Sequence, residues 1–364
     1  MRYAALLAMV LLLGAETRGA VRFDPSGNTL VNGRPFFPIG LYTYSLDPTV
    51  FADMKRLGFN TAILLTEHHS PAQLDEVAAH GLMAICPTTD RWFPAVKGHP
   101  ALLAWYLDDE PEGHGQSPVS ERERYLAVKT ADPDHPIGLC HYLWEAIEKY
   151  RDACDLTMTD VYPITAARDV PITHVGKFMD EARRVHGETW PLWPYVQVFG
   201  GPATEGGKWA QPTPAEVRCM VYIELIHRAN GIMYFPYWPK APQTWESLGP
   251  INREIGALAP WLTADGRELT VTVSPPTAQV RARQTRNGTL VTLVNTSAAV
   301  AGATVTVRGL AATSLSSMFS RRVVKVNGGT FRLSLAPYET LALKTGESPD
   351  TTAKRASGAS KASP

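Results

Sequence analysis

The sequence predicts an α/β protein, a (β/α)8 TIM barrel followed by a small antiparallel β-sandwich. Three observations support this prediction. Between residues 36 and 262, short apolar runs alternate eight times with longer amphipathic stretches, as in a barrel of ordinary size. After residue 264, apolar and polar residues alternate within each run, and Asn-Gly and Gly-Gly turns separate the runs. A chain of 364 residues that is 45% hydrophobic can bury both cores.

We divide the chain into four parts. Residues 1–20 combine Arg2 with an apolar run that is typical of a signal peptide and too short for a membrane span. The mature protein is therefore expected to be secreted or periplasmic, without a stable membrane anchor. Residues 21–263 are assigned to the barrel and residues 264–345 to the sandwich. Residues 346–364 are rich in Ser, Ala, Thr and Lys, which predicts a disordered tail.

Composition narrows the possible partners. Lys+Arg and Asp+Glu are both 35, so nothing in the net charge favours nucleic acid or an anionic membrane. The oligomeric state does not follow from the sequence. Four scattered cysteines lack metal-ligand spacing, and although export would permit a disulfide, buried free thiols are the favoured interpretation. They are Cys86, Cys140, Cys154 and Cys219.

The elements can be placed in order along the chain. Residues 21–35 contain two short alternating runs with Gly, Asn and Pro between them, which predicts a hairpin that closes the bottom of the barrel. Gly58 and Gly81 end the first two helices. Barrel strands are predicted at residues 36–41, 61–65, 83–86, 102–107, 137–140, 156–159, 192–196 and 231–235. Helices are predicted at residues 49–57, 71–79, 118–130, 143–150, 173–186, 214–229 and 244–262.

The fourth strand carries the main catalytic candidate. Residues 102–113, LLAWYLDDEPEG, are an apolar run that ends in three carboxylates and Pro111. The carboxyl ends of barrel strands form the active-site face, and the proline disfavours helix at Glu110. Because side chains alternate along a strand, Asp108 and Glu110 are expected on one face and Asp109 on the other. Glu110 is therefore the predicted general acid.

Two further carboxylates are catalytic candidates. Asp160 closes the sixth strand and would activate a water opposite Glu110 if the two carboxyl groups stand roughly 6.5–9.5 Å apart. The alternative for Asp160 is a structural hydrogen bond to a neighbouring Tyr or Arg. Asp108 and Asp109 alongside would raise the pKa of Glu110 by like-charge repulsion. The alternative for this acidic cluster is a helix cap, a role that suits Asp109 or Glu112.

Polar and aromatic residues at the strand exits are predicted to bind substrate, since aromatic faces with polar tips suit sugar rings. Two adjacent histidines on extended chain point apart, so we expect no metal, and we expect no cofactor. The predicted binding residues are Tyr42, Tyr44, His68, His141, Tyr162, Gln197, Tyr237 and Trp238.

Four segments carry a family resemblance: LVNGRPFFPIGLY, DMKRLGFNTAIL, LLAWYLDDEPEG and RANGIMYFPYW. In this order and spacing, residues 21–344 resemble the large retaining clan of (β/α)8 glycoside hydrolases, clan A, in its bacterial members with a C-terminal β-sandwich. The resemblance implies that Glu110 is the acid/base, with Asp109 where an asparagine is usual. It also implies that Gln197 stands where the clan has its nucleophilic glutamate, and an amide cannot form a stable glycosyl ester.

The sequence therefore predicts an exported glycoside hydrolase that acts on O-glycosidic bonds of an oligo- or polysaccharide, with Glu110 as general acid. Its mechanism is either inverting, with Asp160 as base, or retaining, with a nucleophile that the sequence does not identify. The alternative is a non-hydrolytic carbohydrate-binding protein on a glycosidase-like barrel, which Gln197 favours. A third hypothesis makes the sandwich an adhesion module that determines function.

Overall fold

The computed structural model describes residues 19–65, 70–89, 93–202 and 204–346. Nearly all of the predicted signal peptide and the predicted tail lie outside these residues, so both stay predictions. Within the described ranges, no helix combines the length and apolarity needed to cross a membrane.

The described part of the chain begins with a three-stranded antiparallel sheet, where the sequence predicted a two-stranded hairpin. Phe36 was assigned to the first barrel strand but belongs to this sheet, because the chain reverses at Asn32 and Gly33 and pairs a third time. Val21 is buried among the residues that fill the barrel, and the Phe23 ring packs edge-on against Trp193, 6.2 Å between centroids. The sheet thus covers the amino-terminal end of the barrel. Its strands are β1 (Val21–Phe23), β2 (Thr29–Val31) and β3 (Arg34–Phe36).

Eight parallel strands then form a closed barrel, which confirms the predicted fold class. They are β4 (Ile39–Thr43), β5 (Thr61–Leu64), β6 (Met83–Pro87), β7 (Leu102–Asp109), β8 (Ile137–His141), β9 (Leu156–Asp160), β10 (Leu192–Gln197) and β11 (Ile232–Phe235). The strands neighbour each other in chain order, and β11 pairs with both β10 and β4 to close the ring. Most are buried on both sides, so the apolar runs in the sequence identified them well.

Helices surround the barrel. They are α1 (Pro48–Arg56), α2 (Pro71–Ala79), α3 (Phe93–Val96), α4 (Pro118–Ala131), α5 (His174–His186), α6 (Pro214–Ile226) and α7 (Pro242–Leu262). Four begin with a capping side chain followed by proline, which satisfies orphan backbone N–H groups and presets the first turn. These caps are Asp47, Ser70, Ser117 and Thr213. The helix predicted at residues 143–150 is only a short 3-10 turn, Trp144–Ala146.

The carboxyl-terminal region forms two antiparallel sheets, which confirms the predicted sandwich. The six-stranded sheet contains β12 (Gly266–Leu269), β14 (Ala278–Thr285), β15 (Gly288–Asn295), β17 (Ser314–Ser317), β18 (Val323–Lys325) and β20 (Thr340–Lys344). The three-stranded sheet contains β13 (Val271–Ser274), β16 (Ala301–Val307) and β19 (Thr330–Leu335). All four cysteines are free and buried, as predicted.

The barrel and the sandwich share one hydrophobic core. Leu290, Val294 and Ala342 of the six-stranded sheet belong to the same buried cluster as the residues between the barrel strands and helices. Arg281 of β14 also donates a hydrogen bond to the Leu225 carbonyl of α6 at 2.9 Å. The sandwich therefore buries part of the barrel's helical surface.

One buried acid is expected to make the stability of the folded state depend on pH. Glu224 of α6 is fully buried, and neither carboxyl oxygen has a hydrogen-bond partner among the described residues. Burial raises the pKa of Glu224 well above its ordinary value. The folded state thus keeps a proton that the unfolded state loses above about pH 4.3. This stability is fully present below that pH and falls as pH rises, by up to about 1.4 kcal/mol per pH unit.

We expect Glu224→Gln to remove this pH dependence, because an amide of the same shape does not ionise. Urea unfolding at pH 5, 6, 7 and 8 should give a variant that is more stable than the parent, by a margin that grows with pH. The matched control is Glu123→Gln on the exposed face of α4. Parallel stability curves for parent and Glu224→Gln would contradict the prediction.

Candidate active site

The end of β7 is irregular, and this sets which acids face the barrel. Its pairing with β8 shifts register between Tyr106 and Asp109. Tyr106 lies inside the barrel and Leu107 packs among the helices. Asp108 also faces the helices, since its Oδ2 accepts a hydrogen bond from Arg124 of α4 at 2.7 Å. Asp109 then returns to the interior, where its Oδ1 accepts from the Tyr106 hydroxyl at 2.6 Å.

The expectation that Asp108 shares a face with Glu110 is therefore wrong, because simple alternation does not hold across a bulge. Asp108 forms an ion pair with Arg124, which also pairs with buried Glu121 and donates to the Leu107 carbonyl. These contacts fix α4 against the strand end. We therefore leave Asp108 out of the catalytic set proposed below.

Glu110 follows the bulge with φ of 49°, in the left-handed region that is uncommon for a residue with a side chain. Its backbone N–H donates to the Cys140 carbonyl at 3.1 Å, which holds the turn against β8. Its half-buried side chain forms no ion pair within the described ranges. Such backbone strain clusters at functional sites. Here it turns the carboxyl group toward Asp160.

Glu110 and Asp160 form a coupled carboxyl pair at the mouth of the barrel. The two groups are close enough for each to shift the pKa of the other, and Asp109 adds a third nearby charge. Burial is the main cause that raises the pKa of Glu110, and it raises the pKa of the more deeply placed Asp160 well above its ordinary value. Two neighbouring carboxyl groups cannot both ionise easily, so the pair holds one proton over a wide pH range.

Unpartnered polar atoms lie beside this pair. Oδ1 of Asp160 and the hydroxyl of Tyr162 have no hydrogen-bond partner of standard geometry among the described residues. The Tyr162 hydroxyl is nevertheless close enough to oppose part of the rise in the pKa of Asp160. Buried polar atoms of this kind are normally satisfied, so they are free to bind a ligand hydroxyl or a water.

One cluster in the described part of the chain has the spacing of metal ligands. Oxygen atoms of Asp109 and Asp160 and the sulfur of Cys140 all lie within 4.8 Å of one another. Burial raises the pKa of the Cys140 thiol well above its ordinary value, and the neighbouring carboxylates add to the rise. A thiol ligates metals as the thiolate, so this group is poorly suited to the task.

An aromatic wall flanks the carboxyl pair. The Tyr162 ring contacts Phe199, Trp209 and Phe235, with centroids 4.9, 5.8 and 5.5 Å away. Tyr42 is buried against Phe235 and contacts Tyr44, which is 63% exposed. The predicted residues Tyr42, Tyr44 and Tyr162 therefore lie together. Phe199, Trp209 and Phe235 were not predicted from the sequence; only the position of Phe235 at the end of a strand was a usable signal.

His141 is buried at the end of β8, where its Nδ1 lies 2.9 Å from Oε2 of Glu112. The other oxygen of Glu112 accepts from the backbone N–H groups of Tyr142 and Leu143. Burial would raise the pKa of Glu112, but the hydrogen bond and charge of His141 lower it overall. Glu112 thus orders the loop after β8. The helix-cap role considered for Asp109 and Glu112 is wrong, since Ser117 caps α4.

The remaining predicted binding residues differ in their surroundings. Tyr237 packs edge-on against Trp245 of α7, 5.0 Å between centroids, which places its ring in the helical layer instead of the barrel mouth. Its predicted contact with substrate is therefore not supported. Trp238 is half-buried, with the ammonium of Lys240 4.5 Å from its ring. His68 lies outside the described residues.

Gln197 is fully buried, and all of its polar atoms are used inside the protein. Its Oε1 accepts from the backbone N–H of Ile164 at 2.9 Å. Its Nε2 lies 3.1 to 3.3 Å from the carbonyls of Ile164, Phe199 and Ala210. The side chain therefore ties together the two loops after β9 and β10. The predicted substrate contact of Gln197 is corrected to a structural role.

No family model and no curated protein sequence matches this chain. Solved structures do match its fold. An α-amylase from Geobacillus thermoleovorans, complexed with acarbose, has a TM-score of 0.57 at 10% identity, over 85% of this chain and 99% of that chain.

Two other similar structures belong to different glycoside hydrolase families. A GH30 endoxylanase from Clostridium papyrosolvens has a TM-score of 0.54 at 12% identity, over 90% of this chain and 98% of that chain. A family 39 glycoside hydrolase from Bacteroides cellulosilyticus has a TM-score of 0.52 at 14% identity, over 86% of this chain and 83% of that chain. At these identities, the similarity shows the shared barrel fold.

Proposed function

We propose that this protein is a glycoside hydrolase that cleaves O-glycosidic bonds of an oligo- or polysaccharide, after export from the cytoplasm. The observation that carries the proposal is the Glu110–Asp160 carboxyl pair at the carboxyl ends of β7 and β9. One shared proton supplies one carboxylic acid and one carboxylate, which are the two groups that glycoside hydrolysis requires. The aromatic wall beside the pair suits the apolar faces of a sugar ring. The similar solved structures agree with this reading of the barrel.

The proximity of the two carboxyl groups favours a retaining mechanism. An inverting enzyme holds a water between its carboxyl groups, which stand roughly 6.5–9.5 Å apart, whereas the retaining separation is about 5–5.5 Å. Glu110 and Asp160 shift each other's pKa, so they are near neighbours, which suits the shorter separation. Asp160 is then the nucleophile that the sequence did not identify, and Glu110 is the acid/base.

In the first step, an Asp160 oxygen forms a bond to the anomeric carbon while the bond from that carbon to the leaving oxygen breaks. Glu110 gives its proton to the leaving oxygen. In the second step, Glu110 takes a proton from water, whose oxygen bonds to the anomeric carbon and releases the Asp160 carboxylate. Because Asp160 is the more deeply buried, it holds the shared proton in the free protein. Substrate binding must therefore shift protonation from Asp160 to Glu110.

A specific observation favours a second function, a carbohydrate-binding protein without hydrolysis. Gln197 stands at the end of β10, where the resemblance leads us to expect a catalytic glutamate, and it is locked into a structural role. The two functions differ in one measurable property, because only the hydrolase turns its ligand over.

Incubation of the purified chain with a panel of α- and β-linked oligosaccharides tests the proposal. We expect new reducing ends from at least one linkage, and ¹H NMR of the first product should show the anomeric configuration of the substrate. An inverted first product would refute Asp160 as nucleophile. Saturable binding with no release of reducing ends from any bound ligand would support the binding protein instead.

A further inference from the structure

A polar cavity lies at the end of the barrel opposite the carboxyl pair, where the barrel meets the sandwich. Its volume is about 150 Å³. It is enclosed by the turn between β1 and β2, the loops before β10 and β11, and strands β12 and β14. The residues that carry charge at its wall are Arg183, Glu188, Arg228, Glu268, Arg281 and Arg283. Four guanidinium groups therefore share the wall with two carboxylates.

Three of the four arginines are buried, and the side chain of the fourth, Arg228, is 34% exposed. Arg183 is 5% exposed, and the side chains of Arg281 and Arg283 are 12% and 9% exposed. The side chains of Glu188 and Glu268 are 71% and 41% exposed. Water therefore screens the carboxylates more than the arginines, and the interior of the cavity is positive.

Two of the arginines, Arg183 and Arg283, make no hydrogen bond to a carboxylate among the described residues. Arg228 pairs with Glu188, and Arg281 makes two hydrogen bonds to Glu268. Arg183, in contrast, donates only to backbone carbonyls in the loops before β10 and β11.

Arg283 donates to the carbonyls of Leu262 and Ala264. Its buried Nε–H has no hydrogen-bond partner in the described part of the chain; the nearest carboxylate oxygen, on Glu268, is 3.9 Å away.

The pKa values agree with a surplus of positive charge. Burial, followed by the charges of Arg228 and Arg281, lowers the pKa of Arg183 to about 10. Burial and the charge of Arg281 also lower the pKa of Arg283. The acids that partly oppose these shifts are Glu188 and Asp180 for Arg183, and Glu268, Asp24 and Asp265 for Arg283. They do not compensate the desolvation of the two guanidinium groups.

We propose that this cavity binds a small tetrahedral oxyanion, phosphate or sulfate, which joins the bottom of the barrel to the sandwich. Its volume corresponds to about five waters, enough for one such ion with some hydration. Guanidinium groups are the preferred partners of these anions, and Ser26 and Asn28 add neutral polar groups at the wall. Arginines from both parts of the chain would contact one ion, so binding stabilises their association.

Equilibrium dialysis of the full chain against radiolabelled inorganic phosphate or sulfate, in 150 mM NaCl, tests the proposal. We expect saturable binding of one ion per chain at or below millimolar concentration. The thermal unfolding midpoint should rise with the same concentration dependence, since the ion binds only the folded state. Binding of phosphate alone, or of sulfate alone, supports the site and identifies which ion it prefers.

Variants with opposite charge changes make the test specific. Arg228→Gln should weaken binding about tenfold or more, whereas Glu268→Gln should tighten it several-fold because it frees Arg281. Arg332→Gln, on the exposed face of β19, is the matched control and should bind as the parent does. Absence of saturable binding of either ion up to 10 mM, or affinities that are the same in the parent, Arg228→Gln and Glu268→Gln, would overturn the proposal.

Discussion

Glu110→Gln is expected to lower the rate of glycoside hydrolysis by about 10²- to 10⁴-fold, the usual contribution of a positioned acid/base group. The amide keeps the size of the side chain and can still contact sugar, so ligand binding should change little. The loss should be smaller for aryl glycosides with acidic leaving groups, since these depart without a full proton transfer. Steady-state rates on both substrate types, with binding measured calorimetrically, check the expectation.

Reaction of the two variants with azide, as an added nucleophile, distinguishes the roles of Glu110 and Asp160. In Glu110→Gln the glycosyl–Asp160 ester still forms, and azide attacks it from the opposite face, which gives a glycosyl azide with the configuration of the substrate. In Asp160→Asn no ester forms, and direct attack by azide gives the opposite configuration. If the two variants gave the reverse products, Glu110 would be the nucleophile and Asp160 the acid/base. Asp108→Asn, the neighbouring acid held by Arg124, is the control and should retain most activity.

Gln197→Glu is expected to destabilise the folded chain by about 3–5 kcal/mol at pH 7, the range for a buried charge without a partner. The substitution restores the residue type usual at this position in the resembling clan. It also replaces the amide N–H donors with a carboxylate oxygen that faces three carbonyls. We therefore expect no gain of activity. Urea unfolding measures the loss of stability.

The loss of stability in Gln197→Glu should depend on pH. Burial raises the pKa of a carboxyl group at this position, so the folded variant keeps its proton to a higher pH than the unfolded chain does. Below the unfolded pKa of about 4.3, both states are protonated, and the protonated carboxyl group donates one of the lost hydrogen bonds. The variant should approach the parent in stability near pH 4 and fall behind as pH rises. Gln211→Glu, in the same loop but partly exposed, should cost far less. Equal losses for the two variants would show that Gln197 is not the structural link described above.

The barrel was predictable because its strands are nearly all buried. A continuous apolar run between turn residues has few alternatives, so strand positions such as Leu192–Gln197 were found to within a residue or two. The 3-10 turn at Trp144–Ala146 was harder, since a short amphipathic stretch does not specify its own hydrogen-bonding pattern. The third strand of the first sheet was missed because its pairing depends on a reversal at Asn32.

The candidate site was predictable only in part. Glu110 and Asp160 were found from their positions at strand ends, a property of the local sequence. Which acids face inward depends on the register shift between β7 and β8, and a pairing register cannot be read from one strand. The aromatic wall depends on contacts between Tyr162 and Trp209, which are distant in sequence. The structural role of Gln197 likewise depends on carbonyls supplied by two separate loops.

The core that joins α6 and α7 to the six-stranded sheet limits how this protein can be rearranged. Removing the chain after Asp265 would uncover apolar side chains that now meet Leu290 and Val294, and a shortened product would aggregate before its activity could be interpreted. The two parts therefore have to be expressed together. A recombinant that exchanges the sandwich for another module must first redesign the outer surface of these two helices.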